Sequence, residues 1–236
     1  MKTIYLDSLK VAKLSFIAAA IMLPGFVHYS RKPNLTRVDH VERLQYAKQV
    51  FSEKEYVDFV FERSDSGEVE NYIIARFEKA FPNESSSLIY AWANTLINES
   101  NRAKMDPLFV MAIIEQESRF NSKVVGGHGE IGLMQLRPRT AAWIAKKAGI
   151  RFKGRDQLFN PDVNIKLGIL YLAYLNRKFD NVRHSTSAYN MGPRNVKRVI
   201  ASQRQPAIYH DKVYQHYRRF YADLKLEKTG LVVAYQ

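Results

Sequence analysis

The chain has no cysteine. That excludes disulfides, a lipid-modified cysteine and a thiol nucleophile. Acidic residues are also scarce: 23 Asp+Glu stand against 36 Lys+Arg, a formal net charge of +13. A basic surface implies an acidic partner, whether nucleic acid, anionic lipid or an acidic polymer. Zinc-finger spacing, RNA-binding aromatic motifs and a helix-turn-helix signature are all missing. Nucleic acid is therefore not expected, and a polymer or a membrane surface fits better. The 6 histidines are scattered with no His-Glu-x-x-His or similar spacing, so neither a metal nor a cofactor is expected. There is no Gly-x-Ser-x-Gly, and Ser118 has no histidine nearby, which argues against a serine hydrolase. The glycine-rich stretch Gly126 to Gly132 contains no Gly-Lys-Ser/Thr and follows no strand, so it does not read as a phosphate cradle.

Two further shortages concern architecture. No convincing alternating β-branched segment occurs before Leu231-Val232-Val233, so a mainly all-α fold is expected. The uncharged apolar run Leu14 to Val27 is shorter than the ~20 residues that span a bilayer comfortably. Lys2, Lys10 and Lys13 precede it, and a basic start before a short apolar stretch describes an export signal. Ala18-Ala19-Ala20 offers a small-residue cleavage site, but an early one, and Arg31 and Lys32 follow the run. Residues 1–34 are read as a signal-anchor or signal peptide with flanks, the retained anchor being favoured. Either way the remainder lies outside the cytoplasm, and membrane association runs through this segment.

What is present is helix after helix. Residues 35–85 read as a helical spacer or support: Val41, Leu44, Val50 and Phe51, then Tyr72, Ile73 and Phe77, recur at helical steps without any chemistry-bearing motif. Leu88, Ile89, Trp92, Leu96 and Ile97 form a clean amphipathic helix that opens the next unit. Asn164 to Phe179, Asn195 to Ser202 and Tyr209 to Leu226 are helical, and Met191-Gly192-Pro193 ends a helix sharply. The expected division is 1–34, 35–85, 86–226 and a tail at 227–236.

The chain is organised around Asp106 to Gln135. Its first half is apolar at three- and four-residue steps, and Glu117 falls on that face, four residues after Ile113. A carboxylate on an apolar face tends to shift its pKa upward, which is what a general acid needs. Glu115, about 200° around the helix, is expected to be a solvated surface charge. A structural ion pair at Glu117 is the alternative from this pattern alone.

Further motifs then add to that pattern. Glu117-Ser118-Arg119-Phe120-Asn121, Gly132-Leu133-Met134-Gln135 and Ala188-Tyr189-Asn190-Met191-Gly192-Pro193 resemble the three signature blocks of the soluble-lytic-transglycosylase (SLT) catalytic domain. Leu158-Phe159-Asn160-Pro161 to Leu172 resembles the segment between the second and third. The likeness covers roughly Ser86 to Phe220 and implies a lysozyme-like helical domain with a substrate groove.

It also implies a reaction on peptidoglycan glycan strands. One glutamate, here Glu117, protonates the oxygen between N-acetylmuramic acid and N-acetylglucosamine. It then takes the proton of the muramic 6-hydroxyl as a 1,6-anhydro ring closes. Ser118, Met134 and Gln135 would contact sugar, although Met134 could instead fill space under the loop. Tyr189 would reach the acid or the glycosidic oxygen, Asn190 would hold the acetamido side, and Tyr209 would lie near the same site. The sequence departs from the pattern where many members carry a serine hydrogen-bonded to the glutamate: that position is Gly126. Glu130 is expected to be a solvated loop charge; as a second groove carboxylate it would favour a hydrolysis like that of goose-type lysozyme. A non-catalytic wall-binding component is the remaining alternative.

Overall fold

The computed structural model describes residues 35–57, 66–206 and 208–228. The export segment 1–34 and Leu231-Val232-Val233 lie outside them. Among the described residues no helix is long and apolar enough to cross a membrane.

The chain forms α1 (His40–Val50), a short α2 (Glu53–Tyr56), α3 (Ser66–Ala80), α4 (Ser86–Arg102), α5 (Pro107–Ser118) and α6 (Pro138–Lys147). A 3-10 turn over Arg155–Phe159 leads into α7 (Pro161–Lys178), α8 (Val182–Met191), α9 (Pro193–Ala201) and α10 (Ile208–Lys228). The sequence dictates many of the starts. Pro107, Pro138, Pro161 and Pro193 each occupy the first turn of a helix, where the missing N–H costs nothing. Asp106, Asn160 and Asn181 cap their helices by accepting from Leu108 N, Asp162 N and His184 N at 2.8, 2.9 and 3.1 Å, satisfying amides the helix leaves unpaired.

α5 is the centre, packed between α10 and α4. Every residue from Pro107 to Ile114 is buried. The helix is therefore apolar all round rather than amphipathic, as a core helix is. α7 forms the second centre, against α4, α6 and α8. The end of α1 and residues of α3 share the core: Phe51, directly after α1, stacks on Tyr217 of α10 at 4.9 Å, and Phe77 meets Phe120 edge-on at 5.6 Å.

One polar cluster crosses this core. Asp106, wholly buried, accepts from the hydroxyls of Tyr217 and Tyr221 at 2.6 and 2.5 Å. The Tyr221 oxygen accepts in turn from Arg43 Nη1 of α1 at 2.6 Å. Arg43 is also wholly buried. A buried cation and a buried carboxylate are tolerable together because Tyr221 carries hydrogen bonds from one to the other and Tyr217 adds a second bond to the carboxylate.

By the glycine loop two isolated antiparallel bridges form, Val125–Ile131 and Ile131–Leu136. They fold the 119–137 connection back on itself. Gly132 makes this possible: its φ is +78°, and a Cβ there would lie 2.3 Å from the Leu158 carbonyl oxygen. No other residue fits.

Candidate active site

Glu117 sits in the last turn of α5, and the chain reverses directly after it. Arg119 and Phe120 both adopt left-handed conformations, with φ of 51° and 61°. Two such residues in succession, neither glycine, are costly and are held by the surrounding packing. Phe120 is buried against Phe77, and the Arg76 guanidinium lies 5.3 Å from its ring centroid.

The reversal directs Glu117 towards α10, where the Tyr209 hydroxyl donates a short hydrogen bond to its Oε1. Glu117 is half-buried and has no ion-pair partner among the described residues. Burial pushes its pKa from the ordinary 4.5 to about 7. The Tyr209 bond opposes that shift, and the nearby Glu130 charge adds to it. The carboxyl end of α5 contributes in the same direction, because its carbonyls disfavour a negative charge. Tyr209 itself stays a neutral phenol, its pKa raised well above 10 by burial and by Glu117.

Glu115 is not the solvated charge the helix-face argument expects. Its side chain is 16% exposed and is held by Arg76 at 2.9 Å and Arg219 at 3.2 Å. The reason is that α3 and α10 each present an arginine to it. The two carboxylates thus differ in partner rather than burial: two guanidiniums for Glu115, one phenol for Glu117.

The glycine loop is built by buried polar anchors. Ser118 is buried, and its Oγ donates to the Leu133 carbonyl at 2.8 Å, with the Ile114 carbonyl at 3.2 Å. Gln135 is half-buried with φ 45° and turns its amide back to Gly132 O and Val124 O at 2.9 and 3.2 Å. Met134 is wholly buried. Its sulfur would lie 2.3 Å from a Cβ at Gly168 of α7. Its side chain therefore fills the space under the loop, one of the two places the sequence allows it. The Met134 carbonyl accepts from Tyr189 Oη at 2.8 Å. Tyr189 thus spends its hydroxyl on the loop, and Tyr209 is the tyrosine that reaches the glutamate. Burial and the neighbouring Glu117 both raise the Tyr189 pKa. Asn190 follows on α8 with its side chain exposed.

Sequence reasoning gave no role to Asn164, which the structure puts under the loop. It is wholly buried, accepts from Met134 N at 2.7 Å, and donates to the Ile131 and Leu158 carbonyls at 2.8 Å each. Every arm of its amide is satisfied. An asparagine in line with the apolar face of α7, ahead of Leu167 and Gly168, was the available signal.

Glu130 is no solvated loop charge. Arg137 Nε donates to it at 2.8 Å and His128 N at 3.0 Å. Burial would raise its pKa, but these hydrogen bonds outweigh it and hold the carboxyl below the usual range. A Cβ at Gly126 would meet Glu130 Oε2 at 2.7 Å and Gln135 Oε1 at 2.8 Å. Side-chain ends from the loop occupy the room a serine would need there.

The Transglycosylase SLT domain family matches residues 94–212, half of the chain. The soluble lytic murein transglycosylase of Salmonella typhimurium is 32% identical over 159 residues, 66% of this chain and 23% of that protein. The membrane-bound lytic murein transglycosylase C of Actinobacillus pleuropneumoniae serotype 5b is 35% identical over 119 residues, 46% of this chain and 33% of that protein. The chain thus spans about a quarter to a third of the length of these relatives. The crystal structure of the 70 kDa soluble lytic transglycosylase from Escherichia coli superposes with a TM-score of 0.51 at 24% identity, over 70% of this chain and 31% of that one, a likeness of fold. Helical architecture, the Glu117 turn and the matched segment converge: the chain belongs to the Transglycosylase SLT domain family.

Proposed function

We propose that this chain is a lytic transglycosylase that cleaves the β-1,4 bond between N-acetylmuramic acid and N-acetylglucosamine in peptidoglycan, with residues 86–226 as its catalytic part. The observation that carries the reading is Glu117: half-buried, with no ion-pair partner among the described residues, held by a phenol, with a pKa near neutrality. Such a group is protonated often enough to give a proton and basic enough to take one back.

In the first half-reaction Glu117 donates its proton to the bridging oxygen, and the N-acetylglucosamine side departs as an alcohol. Positive charge develops at the muramic anomeric carbon. The ionised Glu117 then accepts the proton of the muramic 6-hydroxyl, whose oxygen bonds to that carbon. The product carries a 1,6-anhydro ring, the acid is regenerated, and no water is consumed. Tyr209 steadies Glu117 in its ionised interval, since hydrogen bonding to the charged form favours it. Asn190, exposed next to Tyr189, is available to the acetamido group. Ser118, Gln135 and Tyr189 act by shaping the loop that frames Glu117.

Glu130 supports this single-carboxylate scheme rather than a hydrolytic one. Its charge is already committed to Arg137 and to a loop amide, which leaves it poorly placed to activate water. No cofactor enters the scheme. The basic chain suits an anionic wall polymer, and residues 1–34 would hold the enzyme at the membrane face of the envelope. Digesting purified wall and analysing fragment ends is the test. Anhydro-muramic ends are expected; reducing ends would assign the hydrolysis of goose-type lysozyme, and no release would remove enzymatic cleavage altogether.

A further inference from the structure

A run of aromatic rings leads away from the Glu117 cluster along α7 to an exposed indole. Tyr189 meets Tyr171 at 5.4 Å between centroids, and Tyr171 stacks with Tyr174 at 6.4 Å and 14°. Trp143 of α6 stands edge-on to both, 6.5 Å from Tyr171 and 4.8 Å from Tyr174. Trp143 is 43% exposed, and the tyrosines are half-buried beneath it. This is an exposed surface feature: Trp92, the other tryptophan, is buried.

Polar groups flank the rings. Lys178 Nζ donates to Tyr174 Oη at 3.1 Å. The Arg137 that grips Glu130 also lowers the Tyr171 pKa, against the burial that raises it. Tyr189, the first ring of the run, donates to the Met134 carbonyl, so the patch is continuous with the loop that frames Glu117. Two ring-to-ring steps join Tyr189 to Trp143, a reach of a few pyranose rings.

We propose that Trp143, with Tyr174 and Tyr171, forms a saccharide subsite that takes a sugar ring of the glycan strand beyond the pair cleaved at Glu117. An N-acetylated pyranose in a β-1,4 strand presents an apolar face of axial C–H bonds, which matches a rigid indole, and amide and hydroxyl edges, which match the flanking cations. Flat aromatic groups with a polar rim suit such an amphipathic ligand. An apolar patch joined to a site also calls for an occupant, and a strand running out of the Glu117 cluster is the one already brought there. The subsite rests on the proposed function.

The test uses the full chain carrying Glu117→Gln, so that strands bind without being cut. Peptide-free glycan strands of two lengths are titrated by calorimetry, one length filling only the Glu117 pair and one long enough to reach α6. Long strands should bind more tightly and alone shift Trp143 emission. Adding Trp143→Ala should weaken long-strand binding about fivefold to tenfold, an aromatic contact's worth, and erase the length preference. Trp143→Phe should keep most of it. Equal long-strand affinity with Trp143→Ala, or an equal loss with Trp143→Phe, overturns stacking here while leaving the Glu117 chemistry standing. If strands of neither length bind, and the parent enzyme releases nothing from wall, the functional proposal fails and the subsite with it.

Discussion

Glu117→Gln should abolish the proposed cleavage and, above neutral pH, make the protein more stable. In the folded chain Glu117 holds its proton up to about pH 7, against 4.5 for an ordinary glutamate. Between those values folding takes up a proton, so this group's contribution to stability is full below pH 4.5 and is lost as the pH rises through 7. The gap is worth at most about 3.5 kcal/mol at ~1.4 kcal/mol per pKa unit; partial solvent access trims it to about 2–3 kcal/mol. Glutamine carries no charge to bury and can still accept from Tyr209. At pH 8.5 the variant's unfolding midpoint should exceed the parent's by roughly 5–10 °C, given ~2–4 °C per kcal/mol for a chain of this length. At pH 4 the two should coincide. Thermal unfolding followed by circular dichroism at both pH values measures this directly. A gain of the same size at both, or none at either, would refute the claim that Glu117 is a desolvated acid. The same ionisation predicts that wall release by the parent falls as pH rises through 7.

Tyr209→Phe removes the hydrogen bond that opposes the burial shift at Glu117. The alkaline limb of the pH–rate profile should move upward, and turnover should fall about ten- to a hundredfold, the worth of one charge-assisted bond. Glu115→Gln leaves Arg76 and Arg219 without their shared carboxylate and should cost about 1–2 kcal/mol in urea unfolding, with turnover per folded molecule retained. Arg43→Ala strands the buried Asp106 charge and should cost about 3–5 kcal/mol. The double variant Arg43→Met with Asp106→Asn should recover much of that loss in the same urea assay.

Features set by nearby residues were legible from the sequence. The aspartate and asparagines that cap α5, α7 and α8 act within three residues of themselves, and the break at Gly192-Pro193 falls where α8 ends. The pattern also singled out Glu117 from Glu115, but for an incomplete reason. It assumed that one face of α5 met water, whereas α5 is enclosed and the difference lies in partners. Those partners come from far along the chain: Arg219 for Glu115, Tyr209 for Glu117 and Arg43 for Tyr221. Local periodicity carries no information about such pairings. Met134 illustrates the same limit, since its burial depends on the absence of a side chain at Gly168.

The Asp106–Tyr221–Arg43 cluster has a consequence for how such chains can be cut and recombined. Tyr209 opens the helix whose later turns hold Tyr217 and Tyr221, so the placement of the phenol against Glu117 is indexed, several turns away, by an arginine from the start of the described chain. A fragment trimmed to residues 94–212 would retain Glu117 and Tyr209 yet discard that index, leaving a bare carboxylate in a dry interior. Lead-in segments grafted from other proteins would have to bring a guanidinium of their own to the same spot.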